Sequence, residues 1–288
     1  MIILQNETLT AVIAQKGAEL QQLKHNHNGI NYLWSGDAAY WGKYSPVLFP
    51  IVGGLKDDTY YCKGHTYKLP RHGFARDRDF TVQQLSSTEA LFTLHDDEHS
   101  WEVYPFSFNF KIRYQLNQNW LACTYEVYNS GEGTLLFSVG AHPAFAVPLQ
   151  PGLQYSDYYL ELNKQEALHR WKLENGLLSS SATAIAMEGS RIPLQAALFY
   201  EDAIVLKGLQ SNCITLASER DEHGLNFYFN DFPFFGIWAA KDAPFVCLEP
   251  WCGIADSVNH NQQLAEKEGI NMLEPGHHFS RTWSVECF

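Results

Sequence analysis

Phe106-Ser107-Phe108-Asn109-Phe110-Lys111-Ile112-Arg113-Tyr114-Gln115-Leu116 alternates large apolar residues with polar ones along its whole length. A strand sends successive side chains to opposite faces, so a period of two with one apolar set is the mark of a half-buried strand. The polar break Asn117-Gln118-Asn119 follows. A second alternating run, Leu121, Cys123, Tyr125 and Val127, then ends at Asn129-Ser130-Gly131. Together the two runs predict an antiparallel hairpin.

Outward from this hairpin the same kind of signal recurs. Strand-like runs cover Thr59 to Cys62 and His65 to Leu69 around Lys63-Gly64, then Ala90 to Leu94, Thr134 to Val139 and Ala203 to Leu206. Short strands with short connections pair antiparallel. Helical patterning is scarce, the best candidate being Asn261 to Glu268 with Gly269 as its C-cap, and no βαβ alternation occurs. No long Pro/Gly/Ser linker, low-complexity tract or fixed-period repeat marks a boundary. The expected fold is therefore all-β: an antiparallel β-sandwich with few short helices, in one domain over residues 1–288.

Composition narrows the function. Of the 288 residues 45% are hydrophobic, 14% aromatic and 18% charged, a balance that supports a large core rather than disorder. Asp plus Glu outnumber Lys plus Arg by 32 to 20, for a formal charge of −12, which argues against nucleic acid as a partner. The N-terminus lacks a basic leader and no apolar run is long enough to span a bilayer, so no membrane partner and a cytoplasmic location are expected. The six cysteines lie scattered without a CxxC pair, as reduced packing residues would.

Three positions could carry chemistry. His142 closes the apolar run Ser138-Val139-Gly140-Ala141, and Pro143 behind it stops a strand ladder. His72 follows another strand in Leu69-Pro70-Arg71-His72-Gly73-Phe74-Ala75-Arg76-Asp77. Glu249 lies in Phe245-Val246-Cys247-Leu248-Glu249-Pro250-Trp251-Cys252-Gly253, downstream of the aromatic stretch Phe232 to Trp238. An ionised Glu among such neighbours is unfavourable unless it has a raised pKa or a dedicated partner, and both suit a proton-transfer residue. The pattern alone equally allows two satisfied core histidines and a structural hydrogen bond. No HxH or HExxH spacing points to a metal, Gly53-Gly54-Leu55-Lys56 lacks the full phosphate-loop pattern, and no Ser or Cys nucleophile with a placed base is evident.

At these same segments the sequence resembles the aldose 1-epimerase (galactose mutarotase-like) family, and within it the branch that includes the LacX-type proteins. The landmarks run in order: Ser45-Pro46-Val47-Leu48-Phe49-Pro50-Ile51-Val52-Gly53, Leu55-Lys56-Asp57, and Leu69-Pro70 with His72 to Asp77. They continue with Gly140-Ala141-His142-Pro143-Ala144-Phe145, Leu248 to Gly253, and Leu273-Glu274-Pro275-Gly276. The resemblance implies a β-sandwich of the galactose mutarotase type, no cofactor and a small sugar as partner; no metal is expected, and a monomer or weak homodimer is. It implies that His142 is the acid that protonates the ring oxygen and Glu249 the base that takes the anomeric proton. It further implies that His72 and Asp202 contact sugar hydroxyls, while the aromatic Trp238 could pack on the sugar's apolar face.

One departure bears on the substrate. Where related sequences read Gly-Arg-Leu-Lys, this chain reads Gly53-Gly54-Leu55-Lys56, so the arginine expected to hold a sugar hydroxyl is missing and Arg76 or Lys56 is left to substitute. The expected activity is interconversion of the anomers of an aldohexose such as galactose or glucose. Two alternatives stay open: a hexose-6-phosphate mutarotase, motivated by Arg71, Arg76 and Lys56, and a non-catalytic carbohydrate-binding sandwich.

Overall fold

The alternating hairpin forms in the computed structural model, which describes all residues from Met1 to Phe288. Strand Phe108–Asn117 pairs with Trp120–Asn129, Asn117 opposite Trp120, and Gln118 turns the corner in the left-handed region at φ 53. Burial alternates along the first strand from Phe108 to Leu116 as the pattern requires. Phe106 is buried but precedes the strand.

This hairpin sits within a nine-stranded antiparallel sheet. Its order runs Arg191–Pro193, Tyr158–Leu162, Cys213–Ser218, Asp221–Tyr228, His278–Cys287, Trp120–Asn129, Phe108–Asn117, Glu89–His95 and Thr81–Gln84. An eight-stranded sheet is built around Phe245–Cys252, with Phe234–Trp238 on one side and Val139–Ala141 and Ala144–Ala146 on the other. Both sheets feed one core of 70 buried residues, in which Phe49 stacks on Phe110 at 4.4 Å. Each such fully buried side chain contributes about 1.5 to 3 kcal/mol of transfer free energy. A smaller cluster of nine residues, including Val205, Phe234 and Trp251, packs separately on the eight-stranded sheet. All six cysteines are free and buried.

The fold is thus the antiparallel all-β architecture the sequence predicts, with one short α-helix, Glu98–Val103, capped by Asp97. Two local expectations need correction. Asn261 to Glu268 is not an α-helix but an irregular segment with a single 3-10 turn, Leu264–Glu266. Tertiary bonds hold it open: Gln262 is left-handed and donates to the Lys56 carbonyl, and Lys267 is pulled inward to Asp256 at 2.7 Å. Thr134 to Val139 is not one strand either. The chain leaves one sheet after Leu135–Phe137, bonds Ser138 N–H to the Pro50 carbonyl, and enters another at Val139–Ala141. No helix is long and apolar enough to cross a membrane.

Candidate active site

All eight residues of Phe245–Cys252 are buried, and along this strand Cys247, Glu249 and Trp251 share a face. Beside it, the neighbouring strand is broken at His142-Pro143, between Val139–Ala141 and Ala144–Ala146. Pro143 cannot donate a ladder hydrogen bond, though its carbonyl still accepts from Leu248 N–H at 3.1 Å. The break turns His142 onto the Glu249 face, where its Nε2 lies 3.4 Å from Glu249 Oε2 with side chains only 11% and 3% exposed. Glycines on both flanking strands make room for the indole of Trp251 beneath. A Cβ at Gly140 would lie 2.7 Å from that ring and one at Gly236 2.4 Å.

Burial sets the charges of this pair. It pushes the His142 imidazole down to about 3 and the Glu249 carboxyl well above the usual carboxylate range, because each loses hydration of its charged form. The Trp251 indole N–H pulls Glu249 weakly the other way, short of a full hydrogen bond. Both shifts oppose charge on the pair and favour a neutral imidazole beside a protonated carboxyl. Trp41 stacks on the imidazole at 4.9 Å and 28°, and Trp238 meets it edge-on at 5.5 Å.

His72 is held in the left-handed region at φ 69, where Gly53 N–H donates to its Nδ1 at 3.1 Å. An accepting Nδ1 leaves the hydrogen on Nε2, and burial keeps the ring neutral by pushing its pKa well down. Asp202, at φ 92, accepts from Ala203 N–H through one carboxylate oxygen. Arg76 donates from Nη2 to the Arg71 carbonyl, and its buried Nε makes no hydrogen bond but lies 3.6 Å from Asp77 Oδ2.

These side chains line one cavity of about 400 Å³, within the range of small-molecule sites at about 300 to 1,000 Å³. It brings together His72, Arg76, His142, Asp202, Trp238 and Glu249. Lys56 is not among them: its ammonium reaches the His260 carbonyl at 3.4 Å, and the residue lines an adjoining opening. Sequence reasoning did not single out Trp41 or Trp251 as cavity residues, and it named Arg71 only as one of three cations near the site. Trp41 comes from a loop without periodicity and left no signal, while Trp251 could have been found from the shared parity of positions 249 and 251. His142, Cys247 and Glu249 each offer a ligand atom within 4.8 Å of the others. Burial and the neighbouring Glu249 push the Cys247 thiol well up, however, so the thiolate a metal needs is disfavoured.

The geometry can be set beside known proteins. A family profile described as aldose 1-epimerase matches residues 1–285. The chromosomal LacX protein of Lactococcus lactis subsp. lactis is 33% identical over 284 residues, 95% of each chain. Among solved structures, a galactose mutarotase related enzyme from Lactobacillus acidophilus superimposes with a TM-score of 0.95. It is 35% identical and the match covers 100% of this chain and 97% of that one. A galactose mutarotase-like protein from Lactobacillus casei gives 0.94 at 31% identity, with both chains fully covered.

Proposed function

The chain belongs to the aldose 1-epimerase family, and from that premise we propose that it is a mutarotase interconverting the α and β anomers of an aldohexose. The observation that carries this reading is the His142 Nε2 to Glu249 Oε2 contact at 3.4 Å, buried in a cavity of sugar size.

Ring opening needs one proton delivered and one removed on the same substrate. The reaction runs from the ion-paired form of the couple, in which the proton that burial favours on Glu249 has passed to His142 and Glu249 is ionised. His142 gives its proton to the ring oxygen while Glu249 takes the one on the anomeric hydroxyl, the C1–O5 bond breaks, and C1 becomes an aldehyde. Rotation about C1–C2 presents the other face. Glu249 then returns its proton to the carbonyl oxygen, the C5 hydroxyl closes on C1, and its proton goes back to His142. The pair ends as it began, so no proton need be exchanged with bulk water.

The remaining cavity residues position the sugar. The Nε2–H of His72 donates to a hydroxyl, the free oxygen of Asp202 accepts from others, and Trp238 and Trp41 offer flat faces to ring C–H groups. Polarimetry on a freshly dissolved pure anomer tests the reading. Acceleration by the wild type that Glu249→Gln lacks is the expected outcome; no acceleration, or equal acceleration by both, rejects it.

A further inference from the structure

Arg71 lies where the site cavity meets a second opening of about 400 Å³ lined by Gly54, Lys56, Asp58 and Glu174. Its carbonyl accepts from Arg76, but its guanidinium forms no ion pair with any carboxylate of the chain and donates no hydrogen bond to it. An exposed arginine without a partner is common. What sets this one apart is the space made for it.

One glycine clears that space and a second lies beside it. A Cβ on Gly176 would lie 1.6 Å from Arg71 Nη2, so any other residue there would drive the guanidinium away. A Cβ on Gly54 would lie 4.0 Å from Arg71 Nε, so the guanidinium passes beside the Gly53-Gly54 turn. The cation at the Gly53-Gly54 turn thus comes from the segment after His65–Lys68. Lys56 cannot fill the role, since it does not line the site cavity.

The charge balance of the cavity points to what the guanidinium holds. Two guanidiniums, Arg71 and Arg76, and one carboxylate, Asp202, line it alongside the His142–Glu249 pair. Arg76 has a carboxylate partner in Asp77, 3.6 Å from its Nε, so Arg71 is the guanidinium of the lining without a paired carboxylate. An uncompensated planar guanidinium fork suits phosphate or carboxylate oxygens.

We propose that Arg71, seated between Gly54 and Gly176, is the anion-holding residue of this site, and that the preferred substrate is an aldose bearing a phosphate ester or a carboxylate. The reaction part rests on the mutarotase reading above; the binding part does not.

Three sugars separate the possibilities: a neutral aldohexose, its 6-phosphate, and the matching hexuronate. Anomeric exchange and calorimetric binding are measured for wild type, Arg71→Ala, and Arg71→Ala combined with Gly54→Arg. The wild type should favour one of the charged sugars over the neutral one by about tenfold or more in kcat/KM, and Arg71→Ala should bring that ratio close to one. Whichever charged sugar gains identifies the anion. Gly54→Arg should restore part of the preference, because a Cβ there meets nothing closer than 3.5 Å. Equal handling of neutral and charged sugars by the wild type overturns the proposal, as does an Arg71→Ala loss of the same size for both. If no sugar exchanges its anomers, the mutarotase reading alone fails and binding still decides. Charge-selective binding that Arg71→Ala abolishes sustains the anion site, and binding indifferent to either charge or Arg71 overturns it.

Discussion

On the strand Phe108–Asn117 every second residue is buried and apolar, whereas on Phe245–Cys252 all eight residues are buried and one of them is a carboxylic acid. The first strand belongs to a face where alternation alone pairs carbon with carbon. The second floors a cavity in which His142, Arg76 and Trp251 each bury a nitrogen without a hydrogen-bond partner, three of six such atoms in the chain. Unsatisfied buried groups lower stability, so their concentration at one place marks where the fold gives up stability for a site. The two regions should therefore answer mutation in opposite ways.

The widest separation is expected from Glu249→Gln. A neutral amide of the same shape should lower mutarotation by about a hundredfold or more, while changing stability by less than about 1 kcal/mol. A variant that instead loses its fold would place Glu249 with the core. Phe110→Ala is the mirror case: it opens the stack on Phe49 and should cost about 3 to 5 kcal/mol of unfolding free energy, with kcat kept in the folded fraction. Urea melts and rates measured on one preparation check both.

A smaller effect follows from pH. His142 is pushed down to about 3 in the folded chain, against an ordinary value of 6.5, so the unfolded state binds a proton the folded state refuses. That difference destabilises the protein as pH falls from 6.5 towards 3. His142→Gln removes it and should gain about 1 to 2 kcal/mol over wild type at about pH 5 relative to the difference at about pH 7. Glu249 acts with the opposite sign: its raised pKa favours the folded state at low pH and ceases to help as pH rises through the folded value. Activity should fall on the alkaline side as the pair loses its single proton, and on the acid side near 3. Melting temperatures and kcat/KM across pH read these two signatures. The smallest effect is that of Lys56→Ala, which should leave kcat/KM within about twofold because the ammonium points to His260 and not into the cavity.

The same contrast explains what the sequence disclosed. The Phe108–Asn117 hairpin was legible to within two residues because one periodic signal and one polar turn dictate it. His142 and Glu249 were legible as unusual neighbours, one before a proline and one amid aromatics, but nothing local says that they touch. Their contact depends on a strand break on one segment meeting a fully buried strand far along the chain. Arg71 was visible only as a cation near the site, since the space it occupies is defined by Gly54 and Gly176 through distance and not through spacing. Asn261 to Glu268 misled for the same reason: helical periodicity was real, but the buried Lys267–Asp256 pair and the Gln262 bond to Lys56 outweigh it.

The central claim is that one proton shared by His142 and Glu249 opens and closes the sugar ring. Two-dimensional NMR exchange between the α and β anomeric protons of an aldose, neutral and charged, reads this directly with wild type and Glu249→Gln side by side. Exchange cross-peaks with wild type, absent with Glu249→Gln although the sugar still binds, are the expected result. Cross-peaks of equal strength with both proteins, or none with a wild type that binds the sugar, would contradict it.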